Sequence, residues 1–143
     1  MVTKTFLSMS NTQQSKALPI TLWIIQLLLA SSMIWAGSVK LLKPVEEVAA
    51  MWPWAGEVSE TFLKFTGVID LLAGIGLILP SLLRIKPELT SITAIGVIVL
   101  MICAGAFHIS RGEGSNIAPN IIFATMAAFI AWGRFRKAPI VSK

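Results

Sequence analysis

The sequence predicts an all-α membrane protein: a four-transmembrane-helix antiparallel bundle with a short interfacial helix in the first outer loop. Three observations carry this expectation. The chain of 143 residues is 55% hydrophobic and only 13% charged, against about 25% charged for a soluble domain, so it lacks the polar residues for a water-facing shell. Its charges are clumped, and between the clumps lie four apolar runs at 18–39, 62–83, 89–110 and 115–133, each near the ~20 residues a helix needs to cross a bilayer. The connections after the second and third runs are so short that neighbouring helices must be antiparallel and adjacent.

Residues 1–17 read as a polar N-terminal tail. The first run follows Lys4 and Lys16 as a signal peptide would. It is longer than the roughly 7–15 residues of a signal h-region, and no small-x-small site closes it, so it reads as a retained helix. In the first loop, Pro44 suits the first turn of a helix and is followed by Val-Glu-Glu-Val-Ala-Ala-Met-Trp and then Pro53. This predicts an amphipathic helix over 44–52 across the outer mouth of the bundle, with Met51, Trp52 and Trp54 turned into the membrane interface. The second run is interrupted only by Asp70, and the third carries Cys103 and His108. A lone cysteine cannot form an internal disulfide and reads as a small buried hydrophobe. The fourth run holds Asn120, with Asn116 at its start, and leads into a basic tail at 137–143. Residues 18–136 thus form a single transmembrane domain.

Four spans put both termini on one side. That side carries Lys4, Lys16, Arg84, Lys86, Arg134, Arg136, Lys137 and Lys143, and the other Lys40, Lys43, Lys64 and Arg111. The positive-inside rule therefore makes both termini cytoplasmic in an integral protein of the bacterial inner membrane. Trp23 and Trp132 fall near the inner interface, and Trp35, Trp52 and Trp54 near the outer one. The net charge of +5 is no nucleic-acid footprint, because the basic residues bracket apolar runs instead of clustering with aromatics on one face. The lipid bilayer is the expected partner.

Ionisable groups inside spans are costly and are functional candidates by default. Asp70 lies ~12 Å inside the outer boundary at 1.5 Å per residue, flanked at helical spacing by Gly67 and Gly74, where another helix can approach. On the first span Gln26, Ala30, Met33, Gly37 and Lys40 share a face; on the third, Ala94, Met101, Gly105 and His108; on the fourth, Asn116, Asn120, Ala124, Ala127 and Ala131. Lys40, His108 and Asn116/Asn120 are expected to converge with Asp70 in the outer half, and Gln26 to lie deep toward the cytoplasmic side. Each has a plainer alternative. Lys40 and Lys64 can snorkel to headgroups, His108 can bond a backbone carbonyl, Asn116 can cap a helix, Asn120 can bond across helices, and Asp70 can form a purely structural ion pair. One histidine excludes bis-histidine haem, and Asp70 with His108 is two ligands short of a metal site. No hydrolytic triad or phosphate loop is present.

Trp35-Ala-Gly-Ser-Val-Lys40-Leu, Gly67-Val-Ile-Asp70-Leu-Leu-Ala-Gly74-Ile-Gly76-Leu-Ile-Leu-Pro80, Ala104-Gly-Ala-Phe-His108 and Arg134, in this order and spacing, resemble the DoxX-like membrane protein family. The resemblance spans about residues 20 to 136. One position departs from it: the acidic residue of the second helix, more often Glu in that family, is the shorter Asp70. The resemblance implies a four-helix bundle with a polar outer pocket. Its relatives include the small subunit of thiosulfate:quinone oxidoreductase and membrane components of oxidative-stress complexes.

Three functions compete. An accessory subunit of a quinone-linked redox complex would use Lys40, Asp70, His108 and Asn120 for polar contacts to a quinone and Trp35 to stack on its ring, with His108 and Asp70 as the candidate proton carriers. It would hold no cofactor of its own and would need a membrane or redox protein partner to supply electrons. An assembly chaperone or scaffold would use the small-residue faces and the mouth helix. A small proton-coupled exporter would cycle Asp70 between proton and substrate. A homo-oligomer fits any of the three.

Overall fold

A computed structural model describes residues 2–143, with side-chain surroundings described from Lys16 onward. The side chains of residues 1–15, within the expected polar tail, lie outside the described residues. The order is α1 (Val2–Leu42), α2 (Val45–Met51), a 3-10 turn (Pro53–Gly56), α3 (Glu60–Leu83), α4 (Glu88–Ser110), a second 3-10 turn (Gly114–Ile117), α5 (Ala118–Trp132) and a π-helical turn (Gly133–Lys137). Among the described residues, four helical segments are long and apolar enough to cross a membrane: Lys16–Leu42, Glu60–Leu83, Glu88–Ser110 and Gly114–Lys137. They pack antiparallel as the sequence predicts. The fourth differs in detail, since its α-helix is shorter and the span is completed by the two flanking turns.

The principal pairings are α1 with α3 and α4 with α5, joined through α3 against α4. Small residues set the first pairing. Gly37 of α1 meets the backbone of Gly67 and Leu71, and Gly74 of α3 meets the backbone of Ala30 and Ile34, so closely that a methyl group at Gly37 would sit 2.7 Å from the Gly67 carbonyl oxygen. Close backbone approach yields dispersion contacts that lipid cannot match. The main core lies where all four helices meet, with Leu29, Met33, Leu77, Val97 and Ile130 at 2% exposure or less. Outward, Leu28, Leu72, Ile102 and Ile121 are exposed, an apolar exterior suited to hydrocarbon. Cys103 belongs to that exterior and is exposed, contrary to the expected buried position; its apolar setting is lipid, not protein.

The first loop builds a second, smaller core. Val48 of α2, Ala55 of the following turn and Leu63 of α3 are each fully buried, together with Val39 of α1. The short helix is present where expected, with Pro44 at its N-cap. Its aromatic residues correct the expectation. Met51 is exposed, but Trp52 and Trp54 are half-buried and fold back over α1 instead of turning to the interface. Buried Val48 fixes the roll of α2, and the Pro53–Gly56 turn then carries Trp54 inward.

Candidate functional site

α1 and α3 deliver Lys40 and Asp70 to one point at the α2 end of the bundle, because both lie on the glycine faces that bring these helices together. Lys40 Nζ donates to Asp70 Oδ2 at 2.6 Å, with the side chains 12% and 8% exposed. The ammonium also lies over the rings of Trp52 and Trp54, at 5.8 and 5.4 Å from their centroids, a distance at which the ring faces attract a cation. Lys40 therefore does not snorkel to headgroups. Lys64 Nζ donates to the carbonyls of Leu41 and Lys43 and closes the C-terminus of α1.

The aromatic roof continues to α4. Trp54 meets Phe107 edge to face at 5.9 Å, and Phe107 meets the His108 ring at 5.6 Å. His108 thus joins the cluster through aromatic contacts, while its own polar partner is elsewhere: Nδ1 lies 2.9 Å from Glu113 Oε2. Glu113 also accepts from Arg111 at 3.3 Å, and Arg111 reaches across to Glu57 of the first loop. The hydrogen bond from His108, then that from Arg111, hold the Glu113 carboxyl below its ordinary value of 4.5. The bonds to Glu57 and Glu113 push the Arg111 guanidinium up. An ionised carboxylate only accepts, so His108 Nδ1 is the donor, and Nε2 makes no hydrogen bond among the described residues. The carbonyl alternative for His108 is replaced by this carboxylate pair.

The other expected site residues divide. Trp35 is 54% exposed and meets the site through Trp52, the rings edge to face with centroids 5.7 Å apart. Asn116 is exposed and does not cap α5. The Asn120 amide nitrogen is buried with no hydrogen-bond partner among the described residues, so no interhelical bond satisfies it. A buried donor without a partner costs about 1–3 kcal/mol and suits an acceptor brought by a ligand. Taken together, this end offers a paired ammonium and carboxylate, an imidazole oriented by a carboxylate, a free amide donor and a roof of flat rings.

A second polar cluster occupies the opposite end, where the first span begins and the fourth ends. Gln26, fully buried, donates from Nε2 to the Leu77 carbonyl at 2.8 Å and accepts from Arg134 Nε at 2.6 Å. Gln26 lies deep toward this end, as its position predicts, but its partnership with Arg134 is not among the sequence expectations. The signal is present: Arg134 falls three residues after Ala131 and extends the buried stripe of Ala127 and Ala131. At the same end a third contact links α3 to α4, between the buried hydroxyls of Ser81 and Thr90, 2.7 Å apart.

No curated protein and no solved structure matches the chain. A profile of the DoxX-like family matches residues 24–130. The match runs from within α1 to within α5, takes in Lys40, Asp70, His108 and Asn120, and covers well over half of the sequence: this integral membrane protein belongs to the DoxX-like family.

Proposed function

We propose that the protein is an accessory membrane subunit of a quinone-linked redox or oxidative-stress complex, with the quinone headgroup held at the α2 end. The observation that carries this reading is the buried Lys40–Asp70 pair beneath Trp52 and Trp54. An ammonium neutralised by its own carboxylate donates to a quinone carbonyl without adding net charge to the membrane, and flat indole faces suit a flat ring. Asn120 supplies a free donor, and His108 Nε2, with Nδ1 fixed on Glu113, is free to exchange a proton. Reduction of a quinone to the quinol takes up two electrons and two protons; a membrane or redox protein partner delivers the electrons. The roof of Trp52 and Trp54 must lift for a ring to enter. The excess of basic residues near the termini supports a cytoplasmic location for both, which sets the site in the outer leaflet of a bacterial inner membrane.

Two observations favour this reading over its competitors. Of the glycine faces a scaffold would offer to other proteins, those of Gly37, Gly67 and Gly74 are spent on the α1–α3 contact, and only Gly96 and Gly105 of α4 stay open. The carboxylate an exporter would cycle is bound to Lys40.

The test is the quinone content of protein extracted gently from its native membrane. Wild type is expected to carry quinone above the level of the surrounding lipid. His108→Gln should keep its melting temperature while losing most of that quinone. Wild-type protein with no enrichment, or a mutant with undiminished quinone, would overturn the proposal.

A further inference from the structure

The terminal end of the bundle holds a feature the quinone reading leaves unused. Arg134 is 5% exposed. Its Nε and Nη1 donate to Gln26 and to the Ala138 carbonyl, but Nη2 is buried with no hydrogen-bond partner among the described residues. Among those residues it also forms no ion pair. A guanidinium keeps its proton, so it cannot escape burial by becoming neutral, and a buried charge without a counter-charge is strongly disfavoured. Trp23 offers its ring face at 5.3 Å, which attracts the cation without neutralising it.

Arg134 is also a shared wall of two cavities. The larger, about 390 Å3, is bounded by Leu18 and Trp23 of α1 and by Lys137 and Ile140 beyond α5. The smaller, about 240 Å3, includes Glu88, whose charge repels an anion and directs it to the larger one. Leu18 stands near the end of the first span, toward the depth at which lipid headgroups sit, and Arg134 lies deeper, with Gly133 packed on Leu22 and its guanidinium on Gln26. Arg84, Lys86 and Arg136 add positive charge at the same end, which concentrates anions there.

From this we infer that the larger cavity binds a phosphate-bearing ligand, the headgroup of an acidic phospholipid, with Arg134 as the buried anchor, Lys137 as a second cation, and Leu18, Trp23 and Ile140 against the adjoining chain. The guanidinium fork suits phosphate oxygens, and apolar walls beside two cations suit an amphiphile better than a free ion. The site is independent of the quinone reading, being at the opposite end of the bundle.

Full-length protein in a neutral detergent, melted during titration with phosphatidylglycerol, phosphatidylcholine or inorganic phosphate, tests the inference, with native mass spectra counting bound lipid. Phosphatidylglycerol should raise the melting temperature saturably and remain bound, while phosphatidylcholine should not. Lys137 is exposed, so Lys137→Gln should melt normally without lipid and bind phosphatidylglycerol about fivefold more weakly. Arg134→Lys, which keeps the charge and loses the fork, should also weaken it. If inorganic phosphate protects equally and Lys137→Gln weakens that protection, the phosphate site stands and its ligand comes from solution. The inference is overturned if both lipids protect alike with no effect of phosphate, or if Lys137→Gln and Arg134→Lys bind phosphatidylglycerol as wild type does.

Discussion

Lys40 and Asp70 show how a membrane interior turns two unfavourable residues into one tolerable unit. Each alone would be a buried charge; at 2.6 Å they cancel. Removing one partner strands the other. Asp70→Ala is expected to destabilise the protein by about 3–5 kcal/mol, and Lys40→Ala with Asp70→Ala by less than either single change. Thermal melts of the single and double variants in detergent decide this, and additive losses would mean the two side chains do not interact. Asp70 was legible in the sequence because a carboxylate inside an apolar run is too costly to stand there without a partner or a task, and Lys40 because it shares a helical face with Gly37. The partner of His108 was not, since Glu113 reaches it only after the chain turns at Gly112 with φ of 75°. Arg134 was hidden for a different reason: basic residues flanking a span are expected there for topology, which masks one that turns inward.

The helices differ in how much their surfaces are constrained, and the glycines report it. A methyl group at Gly74 would lie 2.5 Å from an Ile34 side-chain atom and 2.9 Å from the Ala30 carbonyl oxygen, whereas one at Gly96 meets nothing within 4 Å. Gly74→Ala is therefore expected to cost about 1–3 kcal/mol by forcing α1 and α3 apart. Gly96→Ala should be neutral or stabilising by up to about 1 kcal/mol, since it only removes backbone freedom. Melting temperatures of the two variants check the contrast. The loop that follows α4 adds a pH response. Because the Glu113 carboxyl is lowered by its partners, its contribution is complete above the ordinary carboxylate value and fades as pH falls through the lowered one. The melting temperature should drop on acidification, and Glu113→Gln should flatten that drop. The four spans and the short helix were legible at this scale from run length, turn residues and the position of Pro44. The inward fold of Trp52 and Trp54 was not, because aromatic residues near a membrane boundary read equally well as interfacial anchors and only the burial of Val48 decides which way they face.

At the scale of the whole molecule the start of the first span and the C-terminal segment lie at one end: Leu18 and Trp23 of α1 share a cavity with Lys137 and Ile140. With eight basic residues toward that side and four toward the other, a reporter fused after Lys143 is expected to be active in the cytoplasm and silent in the periplasm; the reverse would invert the proposed orientation. The pairing of α1 with α3 and of α4 with α5 also bears on biosynthesis, because a chain is made from its N-terminus. The first helical hairpin brings its own lysine and its own aspartate, so it can leave the insertion machinery electrically balanced before the second hairpin exists. Gln26 is different. Its amide nitrogen finds the Leu77 carbonyl within the first hairpin, but its oxygen must wait for Arg134, more than a hundred residues later. That bond ties the first span to the end of the last, and a nascent chain stopped short of Arg134 would carry an unanswered buried acceptor toward that end, a mark by which an unfinished bundle differs from a finished one.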